Sequence, residues 1–377
     1  MRNEGRNKKK LAVLTRNFSP HSGGAERYCY ELTLKLKKIF EIHVICQEYP
    51  ENIEGINFYK VPKLKRPRFL NQILFSFSAY IYTQIEKFDI IHSHEMVTFA
   101  NVYSIHVPTV KSGVFHQKNF LNRLSVLFSP RLLSYLFLEK RQMKISSDQK
   151  KAIVAVSNLN KKNIELSYPK TKDHLHIVSP AIELPNINQT VKINVYEKYK
   201  IPNDARIIIF VGHNFRRKGL QVLINACEKI KNLSPWILVI GRDNPESVFF
   251  SSSESKSRTI FLGEISDISP FYSIANVMVH PTLGDTYGMV VLEAMFYQTP
   301  VIISNEDYCG IASELNELNS IKLKDPLSSS ELSEALLIFF NNTEISAQLS
   351  KNAKIFAENK TWEKVALKFC SIYDEII

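Results

Sequence analysis

Apolar residues arrive along this chain in two alternating modes. Short, nearly unbroken runs occur at "LAVLT" (11–15), "EIHVICQ" (41–47), "INFYKV" (56–61) and "FDIIHSH" (88–94). Between them, stretches such as "AERYCYELTLKLKKI" (25–39) place apolar positions three and four residues apart. The first mode predicts strands and the second amphipathic helices; their alternation predicts βαβ units and a parallel sheet. The rhythm pauses at "SPAIELPNINQ" (179–189), rich in proline and asparagine, which reads as a linker. It then restarts with "RIIIFVG" (206–212), a helical "LQVLINACEKI" (220–230), and four more strands at "WILVIG" (236–241), "TIFLG" (259–263), "VMVHP" (277–281) and "PVIIS" (300–304). A final helix is predicted over 361–377, with Trp362, Val365, Leu367, Phe369, Ile372 and Ile376 at helical spacing.

The length of 377 residues fits two such α/β domains better than one core. No apolar run reaches the roughly 18 to 20 residues that a spanning helix needs, and the apolar run after the basic start is too short for a secretory signal. Five scattered cysteines without a C-x-x-C pair predict a reduced compartment and no structural zinc. Charge changes the picture more. Residues 1–170 hold 28 Lys and Arg against 13 Asp and Glu, whereas the remainder holds 20 against 24. A basic first half predicts an acidic partner, such as an anionic lipid surface, a phosphorylated glycan or nucleic acid; a solubilising lysine-rich surface is the plainer alternative.

Open parallel sheets bind ligands beyond the carboxyl ends of their strands. Three unusual stretches fall there. "SPHSGGAERY" (19–28) follows the first strand, and Gly23 and Gly24 would let backbone approach an anion at a helix start; a tight turn explains them equally well. "VGHNFRRKGL" (211–220) opens the second half with Arg216, Arg217 and Lys218 between strand and helix. Cations at a helix N-terminus oppose the helix dipole, which predicts a ligand anion to offset them, and arginine with lysine suits a diphosphate; a solvated basic turn is the plainer alternative. "HPTLGDTYGMVVLEAM" (280–295) runs from a strand end into an apolar helix. Asp285 and Glu293 lie eight positions apart, about 80° around a helix, so they do not share one helical face. They read as one carboxylate in a loop and one inside the helix. The amides of Gly288, Met289 and Val290 would open that helix toward a phosphate. Glu293 in an otherwise apolar helix needs a partner, either ribose hydroxyls or an internal salt bridge.

In this order, "GGAER", "VSPAIELP", "HNFRRKG", "IGRDNP" and the carboxylate-x7-carboxylate of "HPTLGDTYGMVVLEA" resemble family 4 of the retaining GT-B glycosyltransferases, over essentially the whole chain. Within that family the chain is most similar to the lipopolysaccharide core α-1,3-glucosyltransferases. The resemblance implies two Rossmann-like domains with parallel sheets facing across a cleft. Residues 1–183 would take the acceptor and 184–360 the nucleotide sugar, and the helix at 361–377 would cross back to the first domain. It implies transfer of a hexose, glucose foremost and from a UDP-sugar, to a membrane-associated glycan or glycolipid such as lipopolysaccharide core or another cell-surface polysaccharide precursor.

The same resemblance implies the roles. Arg217 and Lys218 would bind the diphosphate, Glu293 the ribose, and Asp285 the sugar hydroxyls near C3, where the family usually has glutamate. Gly23 and Gly24 would lie against diphosphate and acceptor. His106 falls where many members hold the sugar's 6-hydroxyl, though it reads equally as a structural histidine. No Asp-x-Asp occurs, so cations and helix amides would replace metal, and no cofactor or metal is expected. His92, His94 and Glu95 have a spacing compatible with a metal but lack a further ligand cluster.

"KLKRPRFLNQILFSFSAYIYTQ" (63–84) and residues 115–141 mix aromatics, leucines and cations. In the second, Phe115, Phe120, Leu124, Leu127, Phe128, Leu132, Leu133, Leu136 and Phe137 stand among Lys118, Arg123, Arg131, Lys140 and Arg141. Both segments read as interfacial on an anionic leaflet or as buried helices with snorkelling cations; the basic first half favours the former. The expectation is a cytoplasmic enzyme, peripheral at the inner face of the plasma membrane. Nucleic acid ranks last as a partner, since no recognised module is present. A phosphorylase or epimerase on the same architecture, or a non-catalytic lipid-binding protein, are the alternatives.

Overall fold

A computed structural model describes residues 8–20, 23–115, 128–146, 150–183 and 195–377. Much of the 115–141 segment, and the linker from 184 on, lie outside the described residues. The chain forms two compact units. The first comprises residues 1–180 with 362–377, and the second 181–361.

The first unit holds a seven-stranded sheet in the order β3-β2-β1-β4-β5-β6-β7. The strands are β1 (Lys10–Leu14), β2 (Glu41–Cys46), β3 (Ile56–Lys60), β4 (Ile90–Ser93), β5 (Val102–Ile105), β6 (Ala152–Ala155) and β7 (Leu175–Ile177). All pairings are parallel, with Leu14 opposite Ile45 on one side and Ser93 on the other. Helices α1 (Gly24–Leu36), α2 (Arg68–Ile85), α3 (Val110–Phe115), α4 (Pro130–Gln142) and α5 (Asn158–Ser167) connect them. β1 and β2 are buried along nearly their whole length, as strands covered on both faces must be.

The second unit repeats the plan with six parallel strands in the order β10-β9-β8-β11-β12-β13. These are β8 (Ile207–Val211), β9 (Trp236–Ile240), β10 (Thr259–Gly263), β11 (Val277–His280), β12 (Val301–Ser304) and β13 (Ile321–Leu323). Its helices are α6 (Val195–Tyr199), α7 (Phe215–Lys218), α8 (Leu220–Lys229), α9 (Ser253–Ser257), α10 (Ser269–Ile274), α11 (Met289–Phe296), α12 (Ser329–Asn341) and α13 (Thr343–Glu358). The core gathers Ile208, Phe210, Leu223, Val239, Val277 and Val279 from sheet and helix.

The last helix, α14 (Trp362–Ile376), belongs to the first unit. It packs against α1: the Tyr28 and Trp362 rings meet edge to face at 5.1 Å, and Lys35 pairs with Glu363 at 3.1 Å. Tyr373 reaches the sheet itself, where its hydroxyl lies 2.7 Å from His92 Nδ1.

In each sheet the strand order reverses once, between β1 and β4 and between β8 and β11. Loops leaving the two strands at such a point diverge to opposite faces and open a crevice. The sequence reading found the strands on both sides of each reversal but missed β5, β6, β7 and β13. β7 and β13 are only three residues long, too short for periodicity to show, whereas β5 and β6 are no shorter than the predicted β4 and β11.

Candidate functional site

At the second unit's reversal point, β8 ends at Val211, and the chain passes Gly212 and turns through Asn214, which holds a left-handed φ of 60°. Its side chain accepts from the Arg217 amide at 3.1 Å, and Asp243 Oδ2 accepts from the Phe215 amide at 2.6 Å. These two caps build the four-residue helix α7. Arg216 and Arg217 are exposed, whereas Lys218 is buried. The cations thus occupy a one-turn helix of their own that ends at Gly219, the residue that also caps the N-terminus of the longer α8.

Gly219 closes α7 at φ 80° and lies directly on the loop after β11: a Cβ there would fall 2.1 Å from the Pro281 carbonyl oxygen. The Leu283 amide donates to the Arg217 carbonyl at 2.8 Å. Backbone contact thus fastens the cationic loop to the loop carrying Asp285. Asp285 is fastened on its other side by short parallel bridging to the 308–310 segment, donating to Tyr308 and accepting from Gly310.

Lys218 Nζ donates to Asp285 Oδ2, and His280 Nε2 lies 3.1 Å from the same oxygen. Burial would raise the Asp285 carboxyl, but the hydrogen bond from His280 and the charge of Lys218 outweigh it and hold the group well below the usual carboxylate range. His280 is lowered as well, and for it that means the neutral form. Burial lowers it, its bond to Asp285 opposes this, and Lys218 lowers it further, so the imidazole is neutral.

Past this cluster, Gly288 adopts φ 102° and caps α11, whose first residues are Met289 and Val290. The first amides of a helix lie outside its own ladder, and a left-handed glycine lets a ligand approach them closely. Asp285 thus sits in the loop and Glu293 one turn inside the helix. Glu293 is half-buried, with the Tyr272 hydroxyl 3.4 Å from its Oε2.

The remaining predicted positions belong to the first unit. Gly23 precedes α1 and Gly24 begins it; residues 21 and 22 of that loop lie outside the described residues. His106 follows β5, and its Nε2 lies 2.9 Å from His94 Nδ1 with the rings stacked. His92 has both ring nitrogens engaged, by Tyr373 and by Ser104 Oγ at 2.8 Å, which leaves neither for a metal. Among the described residues no group of three potential metal-ligating side chains gathers. At this unit's own reversal point, Arg16 Nε pairs with Glu95 at 2.9 Å.

Sequence reasoning missed His280, although it lies within the "HPTLGD" stretch. Its only signal was a histidine closing an apolar strand five residues before a carboxylate. It also missed the caps Asn214 and Asp243.

Two Rossmann-like units with parallel sheets, and a cation–carboxylate cluster beside a helix start at one reversal point, define the GT-B class of fold. Comparison with known proteins carries this further. The family "Glycosyltransferase Family 4" matches residues 22–185 and "Glycosyl transferases group 1" matches residues 192–356. The chain belongs to these glycosyltransferases. An uncharacterized glycosyltransferase of Methanocaldococcus jannaschii is 26% identical, covering 97% of both chains. The lipopolysaccharide glucosyltransferase WaaG of Escherichia coli is 22% identical over 66% of this chain and 67% of its own. A crystal structure of WaaG superposes with a TM-score of 0.77 at 18% identity, covering 97% of this chain and 99% of that one. Anabaena HepE, solved in complex with UDP-glucose, gives a TM-score of 0.65 at 15% identity over 96% and 99% of the two chains.

Proposed function

We propose that this glycosyltransferase moves a hexose, glucose foremost, from a UDP-sugar to a membrane-associated glycan or glycolipid acceptor with retention of the anomeric configuration. The observation that supports this best is the Lys218–Asp285–His280 cluster beside the start of α11. Arg217 and Lys218 bind the diphosphate with the amides of Gly288, Met289 and Val290, and stabilise the negative charge that develops as it leaves. Glu293 accepts hydrogen bonds from ribose hydroxyls, and Asp285 from a sugar hydroxyl near C3. For the first unit, taken by itself, the roles proposed are contact with the diphosphate and acceptor for Gly23 and Gly24, and with the sugar's 6-hydroxyl for His106. With no evident covalent nucleophile, the acceptor hydroxyl attacks on the face the diphosphate leaves, and the departing phosphate takes its proton. The work of a metal falls to these cations and amides, so turnover survives saturating chelator.

A thermal-shift screen against UDP-glucose, GDP-mannose and ADP-glucose tests the donor class, and anomer-resolved NMR of the product tests retention. A wild-type protein stabilised by none of the three, or an inverted product, overturns this reading.

The membrane part rests on α2. Its buried side carries the polar Asn71, Gln72, Ser76 and Thr83 alongside Phe75 and Ala79. Its open side is apolar: Leu70, Ile73, Phe77, Tyr80, Ile81 and Ile85 are exposed, Phe77 to 62% and Ile85 to 72%. Exposed Phe128, Leu133 and Phe137 on or just before α4 add to this, and Lys63, Lys65, Arg66 and Arg68 precede or open α2. Such a surface suits an anionic leaflet. No helix among the described residues is long and apolar enough to cross a membrane. Binding to phosphatidylglycerol vesicles should therefore be strong at low salt and weaken as salt rises; binding absent at low salt removes this part of the proposal.

A further inference from the structure

His280 closes β11 with no exposed surface, yet it is only half used. Its Nε2 lies 3.1 Å from Asp285 Oδ2, and its Nδ1 is enclosed without a hydrogen-bond partner. An ionised carboxylate only accepts hydrogen bonds, so Nε2 carries the proton of the neutral ring and Nδ1 is a bare, buried acceptor. Leaving such an atom unsatisfied is unfavourable, and an apolar side chain would fill the same place without that penalty. Packing alone therefore gives no reason for histidine here. The rest of the geometry does. Asp285 Oδ2 receives both Lys218 Nζ and His280 Nε2, whereas Oδ1 makes no hydrogen bond among the described residues.

We infer that His280 is a positioning residue for sugar transfer: with Lys218 it saturates Oδ2 of Asp285, fixing the carboxylate so that Oδ1 is left to accept a hydroxyl of the donor's sugar. This deepens the proposed function and rests on it. It also accounts for a short side chain at position 285. Aspartate has one torsion fewer than glutamate, and two donors on one oxygen remove most of its remaining freedom. A buried histidine behind the carboxylate supplies the rigidity that a hydroxyl-selecting contact needs. Arg217 and Cys309 also face the cluster, but neither hydrogen-bonds the carboxylate side chain.

The test separates the sugar from the nucleotide. His280→Leu removes the donor to Asp285, and His280→Gln places an amide N–H close to where the ring Nε2 sits. Affinities are measured calorimetrically for UDP-glucose and UDP, and for GDP-mannose with GDP and ADP-glucose with ADP if the wild type prefers those. The expected result is that His280→Leu loses tenfold or more of the nucleotide sugar's affinity relative to the bare nucleotide. It should lose turnover as well, while nucleotide affinity stays within twofold, and His280→Gln should recover most of both. Equal behaviour of His280→Leu and wild type overturns the inference. So does a parallel loss of sugar and nucleotide affinity, which marks a structural role. Should His280→Leu not fold, His280→Asn, whose amide is too short to reach Asp285, takes its place against His280→Gln. Equal sugar affinity in those two overturns the inference as well. A wild type that binds no nucleotide sugar overturns the parent reading and this one with it, a result distinct from a variant-specific null.

Discussion

Two enclosed clusters, one in each unit, meet the same loss of hydration and resolve it in opposite ways. In the first unit, His92, His94 and His106 lie among Tyr28, Phe369 and Tyr373. Burial pushes His92 down to about 3 and His106 to about 4, and takes His94 well below its ordinary value. Among the described residues no carboxylate hydrogen-bonds these rings, so the cluster is neutral and is held by hydrogen bonds within itself and to Ser104 and Tyr373. In the second unit, burial is again the largest single influence on Asp285, but Lys218 and His280 together outweigh it and keep it ionised. The difference in charge state lies in pairing. Neutral networks fix geometry, whereas a compensated charge remains available to a charged or hydroxyl-bearing ligand.

The sharpest way to break the comparison is to remove the compensation. Lys218→Ala deletes the countercharge of Asp285 and, on the proposed function, the group that grips the leaving diphosphate. Losing one such preorganised donor lowers turnover by about 10²–10³-fold. Circular dichroism should show a folded protein, since the α7 caps Asn214 and Asp243 do not involve the Lys218 side chain. A folded Lys218→Ala with wild-type turnover would mean that the charged cluster is not where transfer occurs.

Acid distinguishes the two clusters by how many histidines each has buried. A histidine whose folded pKa lies below its unfolded value of about 6.5 contributes stability that is complete above that pH. It is lost as pH falls toward the folded value, because the unfolded chain takes up the proton first. Each such histidine costs up to about 1.4 kcal/mol per pH unit in this window. The first unit holds three and the second has His280. Asp285 is depressed as well, so its contribution persists to below its unfolded value of about 3.9 and is lost only there. Between pH 6.5 and 4.5 the first unit should therefore lose stability more steeply, by a slope that its buried Glu95 and Glu139, raised and so protonating first in the folded state, offset in part. Trp362 is the sole tryptophan of the first unit and Trp236 of the second. Urea midpoints read from Trp362 in a Trp236→Phe variant, set against hydrogen exchange of β8 and β11, measure the two slopes. Equal slopes would show that the histidine cluster is not buried neutral.

How much of this was legible depended on the distance over which each feature is made. β8 is an unbroken apolar run and β11 is apolar up to its closing histidine, and the basic triplet in the loop after β8 stands within ten residues of that strand. Asp285 and Glu293 separate into loop and helix by simple angular arithmetic. The sequence could not show that Tyr373 bonds to His92, because they lie 281 positions apart. Nor could it show that four polar residues of α2 face inward while most of its large apolar ones face out, since periodicity reports a face without saying which way it points. His280 was hidden for a subtler reason. Its partner is only five residues away, but they meet because the chain doubles back through a loop whose shape is set by Gly219 against Pro281.

The mildest perturbation acts on the charged cluster through its backing. A Cβ at Gly212 would meet Lys218 Cγ at 3.1 Å, tighter than ordinary contact. The strand end cannot retreat to relieve it, because Gly241 lies so close behind that its own Cβ would fall 2.1 Å from the Gly212 carbonyl oxygen. The displacement must be taken up by the Lys218 stem, moving its ammonium by a few tenths of an ångström relative to Asp285. Gly212→Ala should then reduce turnover about tenfold, ~1.4 kcal/mol in the barrier. Its effect on the melting temperature should be small, since the gain from a stiffer unfolded chain offsets part of the strain. The double variant decides whether the effect travels through the lysine. If it does, Gly212→Ala costs nothing further in a Lys218→Ala background, whereas additive losses would place the effect in the backbone of the loop and not in the ammonium it supports.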